Sequence, residues 1–186
     1  MTIKPYVIMG AHGGIGGALA KILDEQGYDL VLTARDAANL EGLPGQHVSL
    51  DIDDEQAFQT LAQESDNGQG IVGLAYCIGS IVLKPLKNAK GEDFTQAFSL
   101  NLLGAVRALQ ALGESLKKGE GSVVLFSTVA VQQGFPNHSV IASAKGAVEG
   151  LTRSMAAEWA PHVRVNCIAP SLTDTEIAKP VTSSEK

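Results

Sequence analysis

Apolar residues in this chain fall into short runs and helical stripes that alternate from one end to the other. The run Tyr6-Val7-Ile8-Met9 predicts a buried first strand. Behind it, Ile15, Leu19, Ile22 and Leu23 recur at helical spacing and predict a helix with one buried face. Gly27 reads as its C-terminal cap. Further runs at 29–33, 47–50, 71–78, 122–126 and 163–168 predict five more strands. Residues 37–45 read as a loop or a short helix broken by Gly42 and Pro44. Asp53 and Gln56 box the start of a helix through about Gln63, and Asp66-Asn67-Gly68 is a turn. A long helix follows Gly91, striped by Phe98, Leu102, Ala105, Leu109, Leu112 and Leu116, and ends at Gly119 and Gly121. Another follows Pro136 and Asn137, striped by Val148, Leu151, Met155 and Trp159, and Pro161 closes it.

Strands alternate with helices, and the strands lack polar alternation, so the sheet is covered on both faces. The fold class is α/β, a three-layer doubly wound parallel sheet forming a single domain over residues 1–186. Right-handed crossovers bring the C-terminal ends of the strands to one crevice, where ligands bind at the switch point. Gly10, Ala34, Asp51, Gly79, Thr128 and Pro170 stand at those ends. No repeat, low-complexity segment or linker precedes the polar tail from Thr182.

Composition narrows the function classes. A net charge of −6 with no basic stripe argues against a nucleic-acid partner. The opening Met1-Thr2-Ile3-Lys4-Pro5 lacks the apolar core of a secretion signal. The longest uncharged stretch near membrane length, 122–144, holds Gln132, Gln133, Gly134, Pro136, Asn137 and His138 and is no apolar span. Cys77 and Cys167 sit in apolar strand runs and read as reduced core thiols of a cytoplasmic protein, not as a disulfide or metal ligands.

Candidate chemistry gathers at Gly10-Ala11-His12-Gly13-Gly14-Ile15-Gly16, between the first strand and its helix. A glycine turn there lets backbone N–H groups approach a diphosphate, and the positive end of the helix favours that charge. Four further segments extend the pattern: Leu50-Asp51-Ile52; Asn101 within the long helix; Lys145-Gly146-Ala147-Val148-Glu149-Gly150-Leu151-Thr152; and Arg164-Val165-Asn166-Cys167-Ile168-Ala169-Pro170, with Thr175 five residues later. In this order and at these spacings the chain resembles the short-chain dehydrogenase/reductase family over essentially its whole length.

The resemblance implies a nicotinamide cofactor and a carbonyl–alcohol reaction. Gly10, Gly14, Ile15 and Gly16 would cradle the diphosphate. Asp51 and Ile52 match the adenine contact, Gly79 the approach to the ribose, and Pro170, Thr173 and Thr175 the carboxamide side. Members that prefer NAD carry an acid at the end of the second strand; here that position is Ala34, followed by Arg35. A guanidinium forks onto a 2′-phosphate, so NADP(H) is preferred over NAD(H), with His12 a further donor. Asn101 would position Lys145 through water, Thr128 would bind the substrate oxygen, and Lys145 would hold the ribose and supply positive charge. The resemblance also implies a homodimer or homotetramer on the two long helices, with Ala105, Ala108, Ala111 and Ala147 on their outer faces.

Three departures stand beside these matches. The family's proton-donating Tyr, four residues before the Lys, is replaced by Ile141, which has no ionisable atom. A general acid contributes about 10²–10⁴-fold in rate. His138 is the leading substitute, sharing a face with Ile141 and Lys145 if the helix extends that far back. Lys145 or a water it orients is the next. Second, Tyr76-Cys77-Ile78-Gly79 stands where the family usually has Asn-Asn-Ala-Gly, and Tyr76 is expected in the interior. Third, the C-terminal part of the usual fold, with its lid, further helix and seventh strand, has no counterpart in this sequence; the expectation is that the sequence stops short of the whole protein, whereas a protein ending at 186 would leave one sheet edge open and the substrate pocket uncovered. Residues near Leu83, Phe135 and Val140 suggest an apolar pocket and a hydrophobic carbonyl substrate. The alternative function is a weakly active or inactive NADPH-binding sensor or partner module.

Overall fold

The computed structural model of the protein describes residues 4–179; the polar tail from Thr182 lies outside them. Six strands, β1 (Pro5–Met9), β2 (Asp29–Ala34), β3 (Gln46–Ser49), β4 (Gly73–Tyr76), β5 (Ser122–Phe126) and β6 (Arg164–Ile168), form one sheet. Every pairing is parallel, in the order β3-β2-β1-β4-β5-β6. The order reverses between β1 and β4, and neighbouring connections there leave on opposite faces, which opens a crevice at the strands' C-terminal ends.

Two apolar layers flank the sheet. On one face Leu74, Val123 and Leu125 pack with Leu112, Leu116 and Trp159 of the helices. On the other, Ile8, Leu30 and Leu32 pack with Ala20 and Leu23 of α1 (Gly14–Glu25). The buried face of α1 is Gly16, Ala20 and Leu23, whereas Ile22 is 52% exposed. Steps of four and three return to one side of a helix, while Ile22 falls about 100° round from Leu23. Gly27 ends the helix as predicted, with φ +79° and its N–H donating to the Asp24 carbonyl at 2.8 Å.

Other boundaries move. The segment after β2 forms a short 3₁₀ turn, Ala37–Leu40. α2 (Glu55–Ser65) is capped by Asp54, not Asp53: the Asp54 carboxylate accepts from the Gln56 N–H at 2.9 Å. Asp53 is taken up by the turn before, its N–H donating to Asp51 Oδ1. The β4 ladder is shorter than its apolar run, although Ile71 is fully buried.

The long helix after Gly91 is not continuous. It comprises α3 (Gly91–Phe98), a π turn over Ser99–Leu103, and α4 (Gly104–Gly119). Ala105 and Ala108 lie in the core, not on an outer face, because they share the inner stripe with Leu109 and Leu112. An unpredicted turn of helix, α5 (Ala130–Gln133), follows β5, and α6 (Ser139–Trp159) carries the last stripe. Val140 is fully buried against Ala97 and Ala144, with Phe94 and Phe98 beside them, so it is core and not pocket wall. β6 is the last strand of the sheet, and its Ile168 is half exposed. Among the described residues, no helix is long and apolar enough to cross a membrane.

The predicted turn at Asp66 ties β4's entry to α4. Its carboxylate accepts from the Gly68 and Gly70 N–H groups and from the Ser115 hydroxyl, the last at 2.6 Å. That hydroxyl, then the two N–H groups, hold the carboxyl below the usual carboxylate range. A depressed native pKa stabilises the fold above the ordinary carboxylate pKa and is lost as pH falls through the native value. Asp66→Ala is expected to lower stability by about 1–3 kcal/mol at neutral pH. In denaturant titrations repeated from pH 7 to pH 3, the difference between variant and wild type should shrink below about pH 4.

Candidate active site

β1 ends at Met9, and the chain turns at Gly10 with φ +76°, a left-handed value glycine takes without strain. The Gly10 and Ala11 N–H groups both donate to the Thr33 carbonyl of β2, at 2.9 and 3.0 Å. A side chain at Gly16 would put its Cβ 2.5 Å from the Gly10 carbonyl oxygen, so α1 starts in direct contact with the turn. At Gly14 a Cβ would lie 2.6 Å from the Thr175 methyl, so the loop after β6 lies across the start of α1. In that loop the Pro170 carbonyl accepts from the Val129 N–H, and the Thr175 hydroxyl donates to the Thr173 carbonyl. Ile15 is half buried in the first turn of α1.

A cleft of about 330 Å³ opens over these strand ends. Gly10 and His12 form one wall, Ala34 and Arg35 the end of β2, and Asp51 and Ile52 the end of β3. Ala34 is buried and presents no carboxylate, while Arg35 and His12 are exposed at the rim. The Ile52 carbonyl accepts from Arg107 Nη1 of α4, which also stands 3.5 Å from the Asp53 carboxylate. Gln96, Ser99 and Leu100 complete the cleft.

A second group meets beside Gly79. An added Cβ there would lie 3.0 Å from Asn101 Oδ1 and 3.3 Å from Lys145 Nζ, so the two side chains converge on one point. Asn101 is 1% exposed; its amide N–H₂ donates to the Ala97 carbonyl and the Ser80 hydroxyl, and Oδ1 has no partner among the described residues. Lys145 is 8% exposed and forms no ion pair among the described residues. Burial pulls its pKa down to about 8, opposed by the Cys167 and Cys77 thiols. The same burial pushes the Cys77 thiol up to about 12 and raises that of Cys167, so neither is an activated nucleophile. Both cysteines are free, and no group of three or more His, Cys, Asp or Glu among the described residues is set to hold a metal.

At the end of β5 two neighbouring hydroxyls diverge. Ser127 is buried and donates to the Glu149 carboxylate at 2.7 Å; Thr128 is partly exposed, and its Oγ1 accepts from the Ala130 N–H. Ile141 is 4% exposed. His138 is the N-cap of α6: the helix begins one residue after it, and its carbonyl accepts from the Ala142 N–H at 2.8 Å. Its ring packs edge-on against Phe135, and Nδ1 lies 2.8 Å from the Pro136 carbonyl. A carbonyl only accepts, so Nδ1 carries the hydrogen and Nε2 is left for other partners. Asn137 beside it takes φ +67°, and its carbonyl accepts from the Lys84 N–H.

The structure therefore gathers His12, Arg35, Asp51 and Ile52 at one cleft with Gly10. It joins Asn101 to Lys145 at Gly79, and Thr175 to Gly14. It adds Gln96, Ser99, Leu100, Arg107 and Ser80, which sequence reasoning passed over. None of them falls in a motif or an apolar stripe of the sequence.

The comparisons agree with this geometry. The family model described as Enoyl-(Acyl carrier protein) reductase matches residues 10–186. L-xylulose reductase from Bos taurus is 32% identical over 182 residues, 93% of this chain and 73% of its own length. The 3-oxoacyl-acyl-carrier-protein reductase of Bos taurus is 31% identical over 188 residues, 95% of this chain and 78% of its own. Among solved structures, alcohol dehydrogenase from the archaeon Thermococcus sibiricus, complexed with 5-hydroxy-NADP, has a TM-score of 0.87 at 27% identity. It covers 95% of this chain and 80% of its own. Sequence likeness at this level, on a parallel sheet whose glycine turn and crevice have this shape, makes the chain a member of the short-chain dehydrogenase/reductase family.

Proposed function

We propose that the protein is an NADP(H)-dependent oxidoreductase interconverting a carbonyl and an alcohol, with a proton donor other than the family's tyrosine. One observation carries this reading: a buried acceptor without a partner, Asn101 Oδ1, and a buried ammonium, Lys145 Nζ, converge beside Gly79. Burial costs both groups solvation, and the Asn101 oxygen has no partner among the described residues. Such an arrangement fits a site that meets a polar ligand.

The residues present fit the dinucleotide. Gly10, Gly14, Ile15 and Gly16 would hold its diphosphate, Asp51 and Ile52 the adenine, and Arg35 with His12 a 2′-phosphate. Gly79 and Lys145 would hold the nicotinamide ribose, and Pro170, Thr173 and Thr175 the carboxamide side. When bound it would supply or accept hydride. The 5-hydroxy-NADP carried by the Thermococcus sibiricus enzyme is consistent with this cofactor. Thr128 Oγ1 would bind the substrate oxygen, and the Lys145 ammonium, oriented by Asn101 through water, would favour negative charge as it develops there. His138 would exchange the proton through Nε2, accepting in the neutral ring and donating in the charged one. Ile81, Phe135 and Leu172 are exposed on loops at the strands' C-terminal edge, which favours an apolar carbonyl compound. The remaining finer readings are a cytoplasmic location and a homodimer or homotetramer in which Ala111 and Ala147, partly exposed on α4 and α6, lie near the contact.

The second reading, an NADPH-binding sensor or partner module of little or no activity, is favoured by Ile141, buried and without an ionisable atom. Stopped-flow loss of NADPH absorbance against a panel of carbonyl compounds separates the two: no turnover with tight NADPH binding supports the module.

Three outcomes follow from the leading reading. NADPH should bind more tightly than NADH, and Arg35→Ala should weaken NADPH by about 10–100-fold while leaving NADH nearly unchanged, read by fluorescence titration. His138→Gln should lower kcat/KM by about 10²–10⁴-fold on an accepted carbonyl compound, with NADPH affinity unchanged. For Lys145 the signs oppose one another. Its ammonium is lost above about pH 8, so kcat/KM for carbonyl reduction should fall there. Between about 8 and 10.5 the unfolded chain holds more protons at this lysine than the folded one, so this group's contribution to stability rises with pH. A pH–rate profile and denaturant titrations over the same range check both.

A further inference from the structure

We propose that Tyr76 is a positioning residue for Asn101, its phenol pinning the π turn of the helix so that Asn101 Oδ1 stays aimed at the point where Lys145 Nζ also arrives. The proposal rests on the reading of Asn101 and Lys145 as site residues and adds the group that holds them in register.

A π turn widens the helical ring by one residue and weakens the regular ladder on either side of it, so it persists where something outside the helix holds it. Here the turn spans Ser99–Leu103, and Asn101 is at its centre. The Tyr76 hydroxyl donates to the Leu100 carbonyl at 2.8 Å, one residue before Asn101. Tyr76 is 3% exposed, at the end of β4, and a buried phenol needs a partner. Burial raises its pKa, so the hydroxyl remains a donor at working pH and is no substitute for the missing acid.

Room for the phenol comes from a second position. Gly104, one turn after Leu100, faces the hydroxyl so closely that any Cβ there would overlap it. Two residues far apart in the chain, an aromatic hydroxyl and a glycine, thus fit one contact, within the core that also packs the Tyr76 ring. The strand's continuation grips the same turn again, because the Ser80 hydroxyl accepts from Asn101 Nδ2 at 3.2 Å. With Nδ2 also bound to the Ala97 carbonyl at 2.8 Å, the amide can rotate neither way, and Oδ1 faces Gly79 and Lys145. Tyr76 and Ser80 therefore clasp the π turn from the two sides of Gly79. Ser99 and Leu100 of that turn also line the cleft, so the clasp sets cleft wall and amide together.

The test reads Lys145 directly and needs no turnover. Lysine-specific ¹³Cε labelling of the full chain, assigned by loss of one signal in Lys145→Arg, follows the titration of its ammonium. Its titratable neighbours are Cys77 after β4 and Cys167 on β6, which the variants leave in place. Asn101→Ala removes the amide dipole and should move the midpoint down by roughly half a unit or more. Tyr76→Phe, which keeps the ring and removes only the hydroxyl, should move it in the same direction. The double variant should match Asn101→Ala alone, because both changes act through one group. An unchanged midpoint in Tyr76→Phe, or a shift that adds to that of Asn101→Ala, overturns the proposal. If Tyr76→Phe does not fold, Gly104→Ala, which displaces the hydroxyl, is read against the same two outcomes. Failure of the wild type to bind NADPH would sink the functional reading and leave this one standing on the titration.

Discussion

The first turn of α1 rests directly on the backbone that ends β1, and the crevice depends on that contact. Gly16 lies against the Gly10 carbonyl with no space for a side chain, while Gly10 and Ala11 both donate to Thr33 of the next strand. Together these fix where the helix begins, which way its free N–H groups point, and how far β1 stands from β2. A Cβ at Gly16 could be accommodated only by lifting the helix from the sheet. The mouth of the cleft, the seat of the loop after β6 and the approach to Gly79 would shift with it.

Carboxylates on turn and cap N–H groups and surface ion pairs of little net worth satisfy many of the polar groups, although the buried hydroxyls of Thr33, Ser65 and Ser139 are left without partners among the described residues. Beside Gly79 the unpaired group is an amide, and it stands next to a charge. An amide oxygen without a partner among the described residues, Asn101 Oδ1, lies near the ammonium of a buried lysine, Lys145. Groups left in that state lower stability, and they survive in folded proteins where function requires them. The surrounding order compensates: the layers that bury Leu74, Leu112 and Leu125 hold β4 and α4 rigid enough to keep both groups in place.

Much of this was legible from the chain because its signals are local. Short apolar runs and glycine-ended helices yield the six strands and their alternation, and the strand ends yield the cleft. What stayed hidden depends on rotation and on a single extra residue. Ile22 fits a helical stripe by spacing but falls off the face that meets the sheet. Asp53 and Asp54 are equally good caps on paper, and only the turn at Asp51 decides between them. The π turn is silent because Phe98, Leu102, Ala105 and Leu109 keep steps of four and three across it. Tyr76 was legible as interior, yet its partner, a main-chain carbonyl, leaves no trace in side-chain patterns. For His138 the sequence leaves helix or cap open, and the structure makes it the cap.

The methyl of Thr175 against Gly14 has a consequence for how the protein is made. The two meet from nearly opposite ends of the described chain, so the start of α1 cannot be roofed until the segment after β6 has been synthesised and released. A nascent chain holding β1 through β5 would carry a formed sheet edge and an uncovered helix terminus at once, exposed to whatever anions and chaperones surround it. Closure of the crevice is therefore non-local in the sense that slows folding.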